Sequence, residues 1–230
     1  MTRKALSIIG VVIILFVLSS CSSGPEQSLL KSYFNAVSLN DAQTMATMSL
    51  QPLKIEVSDW EIIEVGDEVV QPASLPDLNT KELDLKKQVE DSVSTTLDAS
   101  DDLDNAKFEF ENARTRAARN AAQKNVDDLQ IKYDEVYETH KDLQKQYNEA
   151  KALSAREEEI ALFSIGAGDL PNIRDMLGDV HEKKVQVKCQ LRNGDEKTYN
   201  VYMRRYILQD EMMKLSRRGR WIIVKFELVS

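Results

Sequence analysis

The first hydrophobic feature of the chain is a run rather than a rhythm. Every residue from Ala5 to Leu18 is small or apolar, Arg3 and Lys4 precede the run, and Ser19 and Ser20 separate it from Cys21. About 14 apolar residues fall short of the roughly 20 that a helix needs to cross a bilayer. A basic start, a short apolar stretch and small residues at its end form the pattern of an export signal.

Beyond the run the pattern turns periodic. Leu29, Leu30, Tyr33, Phe34 and Val37 recur at helical spacing, so an amphipathic helix is expected there. Asn40-Asp41 reads as a turn and cap, followed by a second short helix through Ala42, Met45, Ala46 and Met48 that Pro52 ends. Leu53 to Val57 and Trp60 to Val65 are rich in β-branched and aromatic residues and bounded by Gly66-Asp67, which predicts one or two strands. A linker with Pro72 and Pro76 follows.

From Thr80 to Ser164 there is neither Gly nor Pro, while Glu, Asp, Lys, Gln and Ala dominate, so the whole stretch is expected to be helical. Its second half carries a four-three repeat, Leu129, Tyr133, Val136, His140, Leu143, Tyr147, Ala150 and Ser154, the seam of a coiled coil. A weaker seam, through Val89, Val93, Thr96, Ser100, Leu103, Phe110, Ala117 and Ala121, runs in a different register. One unbroken helix of about 85 residues would be roughly 130 Å long. The flanking segments are each too small to bury a core alone, so the helix is expected to fold back as an antiparallel hairpin, with its tip near Asn120 to Asn125. Pairing of one long helix with a second chain is the alternative.

Gly166 and Gly168 close the helical stretch, and Pro171 to Leu177 offers a short helix. Lys183 to Leu191, the turn Asn193-Gly194, Lys197 to Leu208 and Trp221 to Leu228 predict an antiparallel meander. The alternation slips at Arg204-Arg205, which predicts a bulge there. The expected fold class is α+β: a helix packed on a curved antiparallel sheet, with an inserted antiparallel coiled-coil hairpin. The divisions are residues 1–20 (export signal), 21–27 (tether), 28–78 (first part of the α+β domain), 79–165 (hairpin) and 166–230 (second part).

Two resemblances sharpen this reading. Leu18-Ser19-Ser20-Cys21 resembles the lipobox of bacterial lipoproteins, which implies cleavage before Cys21 and lipid on its thiol. Two or three acyl chains hold a protein stably on a membrane, because each buried methylene contributes about 0.8 kcal/mol. Ser22 is not the aspartate that resembles an inner-membrane retention signal, which favours the outer membrane in a cell with two. The helix, short helix, strand and curved meander, with a last strand opened by Gly219-Arg220-Trp221, look like the nuclear transport factor two-like fold of small bacterial lipoproteins. That resemblance implies a cone-shaped interior, here ringed by Tyr33, Phe34, Trp60, Tyr199, Tyr202 and Trp221, and implies no particular activity.

Charge adds one candidate surface. The segment from Lys183 to Ser230 holds twelve Lys or Arg against five Asp or Glu, whereas the entire chain carries −8. Arg204, Arg205, Arg217, Arg218 and Arg220 could therefore meet an anionic partner, or pair with the acidic helices of the same chain. Catalytic signals are missing. The histidines are His140, on the coiled-coil seam, and His181, beside Glu182 with no second ligand at useful spacing, so no metal site is expected. Serine-hydrolase, phosphate-loop and dinucleotide fingerprints are absent. Cys189, left without Cys21 as a partner, lies in the alternating run Val185, Val187, Cys189, Leu191, so a buried, inert thiol is expected.

The sequence thus predicts a non-enzymatic, membrane-anchored envelope lipoprotein whose hairpin binds another envelope protein. No cofactor and no nucleic-acid partner are expected, and a homo-oligomer is open. An adaptor-like component of a transport assembly and a ligand-binding or enzymatic cone are the alternatives.

Overall fold

The computed structural model describes residues 24–166, 168, 170–211 and 213–229; the expected export signal and the expected lipidation at Cys21 lie outside the described residues. The fold is α+β. Two helices open it, α1 (Pro25–Ser38) and α2 (Ala42–Ala46), followed by strands β1 (Val57–Val65) and β2 (Val69–Pro72). Two long helices come next, α3 (Leu75–Asn112) and α4 (Arg116–Ile165), and the chain ends in β3 (Leu177–Leu191), β4 (Glu196–Asp210), β5 (Leu215–Arg218) and β6 (Ile222–Leu228). Between α4 and β3 the expected short helix is only a three-residue 3-10 turn, Ile173–Asp175.

The sheet is built around the hairpin of β3 and β4, each 15 residues long. Asn193-Gly194 makes its turn, with Gly194 at φ 92°, a left-handed conformation that glycine adopts without strain. Two short strands line each outer edge: β1 and β2 pair end to end with β3, and β6 and β5 pair end to end with β4, all antiparallel. The segment predicted as a strand from Leu53 is irregular up to β1, which starts at Val57. The expected linker is shorter than its prolines implied: Pro72 ends β2 and Pro76 sits in the first turn of α3. Proline is tolerated at both places because neither an edge strand nor the first helical turn needs its missing N–H.

The slip at Arg204-Arg205 has a different cause from the one expected. The β3–β4 register runs without interruption from Leu177 opposite Gln209 to Gln190 opposite Glu196. What changes is the covered face. Val185, Val187, Cys189, Tyr199, Val201 and Met203 face α1, whose Leu30, Tyr33, Phe34 and Val37 complete a first core. Val180, Tyr206 and Leu208, of opposite parity, face a second core made with Leu75, Ile160, Ala161, Ile173 and Met176. One sheet is buried on one face at one end and on the other face at the other end. The irregularity lies in β6, where the step from Tyr202 to Met203 spans Lys225 to Ile223 and leaves Val224 as the extra residue. Ile222 and Val224 thereby enter the second core while Ile223 enters the first.

The hairpin turns at Ala113-Arg114-Thr115, not at Asn120 to Asn125. Ala113 is extended, and the Thr115 hydroxyl accepts from the Ala118 N–H at 3.2 Å, so a threonine cap restarts the helix. The arms are 38 and 50 residues, roughly 57 and 75 Å long. The second arm turns its predicted seam inward: Leu129, Tyr133, Val136, His140, Leu143 and Tyr147 are half-buried, and Ala150 and Ser154 are buried. In the first arm Leu103 and Ala99 are buried in the seam, whereas Val93 is exposed, so the seam there runs through Ser92, Thr96, Ala99 and Ala106. Across the seam Ser92 Oγ hydrogen-bonds His140 Nδ1 at 2.8 Å, and Lys132 Nζ meets Asp102 at 3.2 Å. His140 thus acts as a register pin.

The two cores meet the end of α4 at Gly219. A Cβ on this residue would lie 2.3 Å from Ser164 Oγ and 2.9 Å from the Tyr206 carbonyl oxygen. The Ser164 hydroxyl cannot swing aside freely, because it donates to the Arg220 carbonyl at 2.8 Å and accepts from the Tyr206 N–H at 3.1 Å. Gly219→Ala is expected to cost about 2 kcal/mol, the range of overpacking in a dense interior, read as a lower urea midpoint at unchanged slope. Gly194→Ala, which meets nothing within 4 Å, should cost only its left-handed strain of about 1 kcal/mol.

Candidate functional site

The base of the helical hairpin stands over the second face of the sheet, and a polar cluster joins the two. Glu157, on α4, accepts from three donors: the Tyr206 hydroxyl at 2.5 Å and Ser74 Oγ at 3.2 Å on Oε1, and Arg204 Nη1 at 3.1 Å on Oε2. Arg204 also reaches Glu182 through Nε at 2.5 Å. Burial, and then the neighbouring Glu157 carboxylate, push the Tyr206 hydroxyl far above its ordinary value, so it remains a donor. Both carboxylate oxygens of Glu157 are hydrogen-bonded, and Tyr206 is fully buried. The cluster holds elements together.

Two further contacts steady the same base. Arg174 bridges both arms, bonding Glu82 of α3 and Glu158 of α4 at 2.8 Å each. Ser154, buried on α4, donates to the Leu78 carbonyl of α3 at 3.1 Å.

Next to this cluster a cleft of about 570 Å³ opens between the hairpin base and the sheet. Leu78, Leu153, Ile160, Val69, Met203 and Val224 supply its apolar lining, and its polar groups are the cations of Arg156, Lys183, Lys184, Arg204 and Lys225, the carboxylates of Asp67, Glu157 and Glu182, and Tyr202. Tyr202 was expected in the cone; its parity puts it on the opposite face, where its hydroxyl donates to Glu227 at 2.6 Å. The cone itself is filled by its own rings. Phe34 stacks on Trp60 at 4.9 Å and Tyr33 lies 5.2 Å from Phe226, with Tyr33 and Phe34 buried.

The five arginines do not form one patch. Arg204 is engaged by Glu157 and Glu182 on the second face. Arg205 points to the first face, where it contacts Glu68 at 3.4 Å and lies over the Trp221 ring at 5.0 Å. Arg217 pairs with Asp210 at 3.2 Å, and Arg220 donates to the Thr47 carbonyl and covers Phe163. Arg218 is exposed on β5. His181 binds Glu68 through Nδ1 at 2.5 Å, a partner 113 residues away that sequence spacing could not reveal. Among the described residues no group of three His, Cys, Asp or Glu is placed to hold a metal ion. Cys189 is buried at zero exposure, and burial pushes its thiol up to about 12. Among the described residues no helix is long and apolar enough to cross a membrane.

Comparison with protein-family models, curated proteins and solved structures finds no match for this chain. The functional reading therefore rests on residues and geometry.

Two variants test the charge clusters. Glu157→Gln keeps the shape but loses the charge that Arg204 and Tyr206 address, and should lower stability by about 2–3 kcal/mol in urea titration. Glu68 is held below its ordinary carboxylate range, first by the hydrogen bond from His181 and also by Arg205. A lowered carboxyl stabilises the fold at pH above the ordinary value of about 4.3 and loses that contribution as pH falls through the native one. Glu68→Gln should therefore be less stable than wild type at pH 7, with the gap in urea midpoint closing toward about pH 3.

Proposed function

We propose that this chain is a non-enzymatic envelope lipoprotein, held on a membrane by lipid on Cys21, that presents a rigid helical hairpin to another envelope protein. The observation that carries this reading is the apolar surface of the hairpin outside its own seam. Leu83, Val93, Leu97 and Phe108 on α3, and Ile131 and Tyr137 on α4, are exposed and lie outside the four-three seam along which the arms meet. Solvated helices need no such residues, and helix-on-helix association reads apolar anchors at this spacing. The heptad register puts Val93 and Leu97 of one arm on the same flank as Tyr137 of the other, where Tyr133 and Tyr137 stack at 5.8 Å.

The base supports the same role, because a projecting arm transmits position only when its root is fixed. Arg174, Glu157 and Ser154 fix it on three sides. The export pattern before Cys21 and the acidic balance of the hairpin complete the reading of a surface-anchored binding module.

A photo-crosslinking residue at Leu97, with a second at Arg114 in the turn, tests it in cells producing the full chain. One discrete protein adduct at Leu97, lost in Val93→Asp/Tyr137→Asp, is the expected result. A self-adduct at Leu97 would replace the reading with pairing between copies of the chain. In a companion variant without the crosslinker the arms are shortened symmetrically by removing residues 89–143 and joining the ends with a short glycine turn. Because Ser92 stands opposite His140, this cut preserves the remaining register, so the variant should stay folded and no longer co-purify the protein that the Leu97 adduct identifies. Unchanged co-purification would contradict the proposal.

A further inference from the structure

The cleft at the hairpin base has a composition that neither the cluster beside it nor the hairpin's exposed flank requires. Its volume of about 570 Å³ falls within the range of about 300–1,000 Å³ typical of small-molecule sites, which are mostly apolar with a few placed polar groups. Leu153 lines it while 54% exposed, and Val69, also 54% exposed, faces it from β2. Ile160 and Val224 form buried parts of the lining. Two large apolar side chains open to water on opposite walls of one cleft are costly unless something apolar covers them.

The charges around the cleft are sorted. Its two inner carboxylates, Glu157 and Glu182, are both committed to Arg204. Lys225 lies 4.3 Å from the Tyr202 ring and 3.9 Å from Glu227. Lys183 pairs with Glu26 at 3.2 Å; Arg156 and Lys184 are exposed with no ion pair among the described residues and outnumber the one exposed carboxylate of the lining, Asp67, so the unbalanced charge at the mouth is positive.

We infer that this cleft binds a single-chain amphipathic anion, with its acyl chain along Leu78, Leu153, Ile160 and Val224 and its carboxylate or phosphate head at Arg156 and Lys184. Charge complementarity at the mouth and the apolar lining behind it carry the assignment. Three alternatives fit less well, since an alkane or an alcohol leaves the two cations unanswered and a small anion leaves Leu153 and Val69 in water. The site is separate from the flank around Leu97, so it stands or falls independently of the hairpin's protein partner.

The test uses membranes from cells producing the full chain, irradiated with photoreactive hexadecanoic acid in one arm and a photoreactive monoacyl glycerophosphate in the other. Saturable adducts are expected on peptides containing Leu78, Leu153 or Val224, competed by the unlabelled anion and not by hexadecanol. The arm that labels at lower concentration identifies the head. Arg156→Glu/Lys184→Glu should raise the half-saturating concentration at least tenfold, and Leu153→Asp should abolish labelling. Both variants alter exposed side chains only, and a thermal melt by circular dichroism checks that each is folded. Labelling that does not saturate, that hexadecanol competes equally, or that persists in both folded variants would overturn the proposal.

Discussion

One carboxylate joins the helical hairpin to both the sheet and the start of its own first arm. Glu157 sits where α4 leaves the coiled coil and crosses the sheet, and it joins the start of α3 through Ser74 to the middle of β4 through Arg204 and Tyr206. A partly buried charge is costly unless it is hydrogen-bonded, and here three donors reach its two oxygens. Those bonds tie α4 to the start of α3 and to β4 at once. Apolar packing of Leu75, Ile160 and Ala161 on Leu208, Ile222 and Val224 supplies the bulk of the attachment; the charge cluster supplies its direction.

The two-faced sheet follows from this. A helix at one end and a helical pair at the other each need an apolar landing surface, and the β3–β4 hairpin provides them on opposite faces by changing which parity is apolar. The bulge at Val224 lets β6 serve both, sending Ile223 one way and Ile222 and Val224 the other. The cleft is the remainder of the second landing surface that the hairpin base does not reach.

Much of this was legible in the sequence. The amphipathic spacing of Leu30, Tyr33, Phe34 and Val37, the Asn193-Gly194 turn and the seam from Leu129 to Ser154 each use large side chains whose spacing has one reading. The first arm was harder, since Ser92, Thr96, Ala99 and Ala106 are small and mildly polar and give no apolar period, so nearby Val93 drew the seam off course. The turn escaped because Thr115 caps α4 without any glycine or proline to mark it. A break in alternation at Arg204-Arg205 looks the same whether a strand bulges or its covered face changes, and only a second layer distinguishes them. The site residues were illegible for a simpler reason. Glu157 and Arg204 are 47 residues apart, and nothing local in either segment distinguishes a bonded charge from a solvated one.

With Glu157 bonded on both oxygens, the arm should be fixed to the domain rather than hinged on it. Electron–electron distance measurement on the full chain, with spin labels at Gln123 on the outer part of the hairpin and at Lys197 beside the β3–β4 turn, reads this. A fixed arm gives one narrow distance distribution that broadens when Glu157 is replaced by Gln. A distribution already broad in the wild-type chain, unaffected by that replacement, would contradict it.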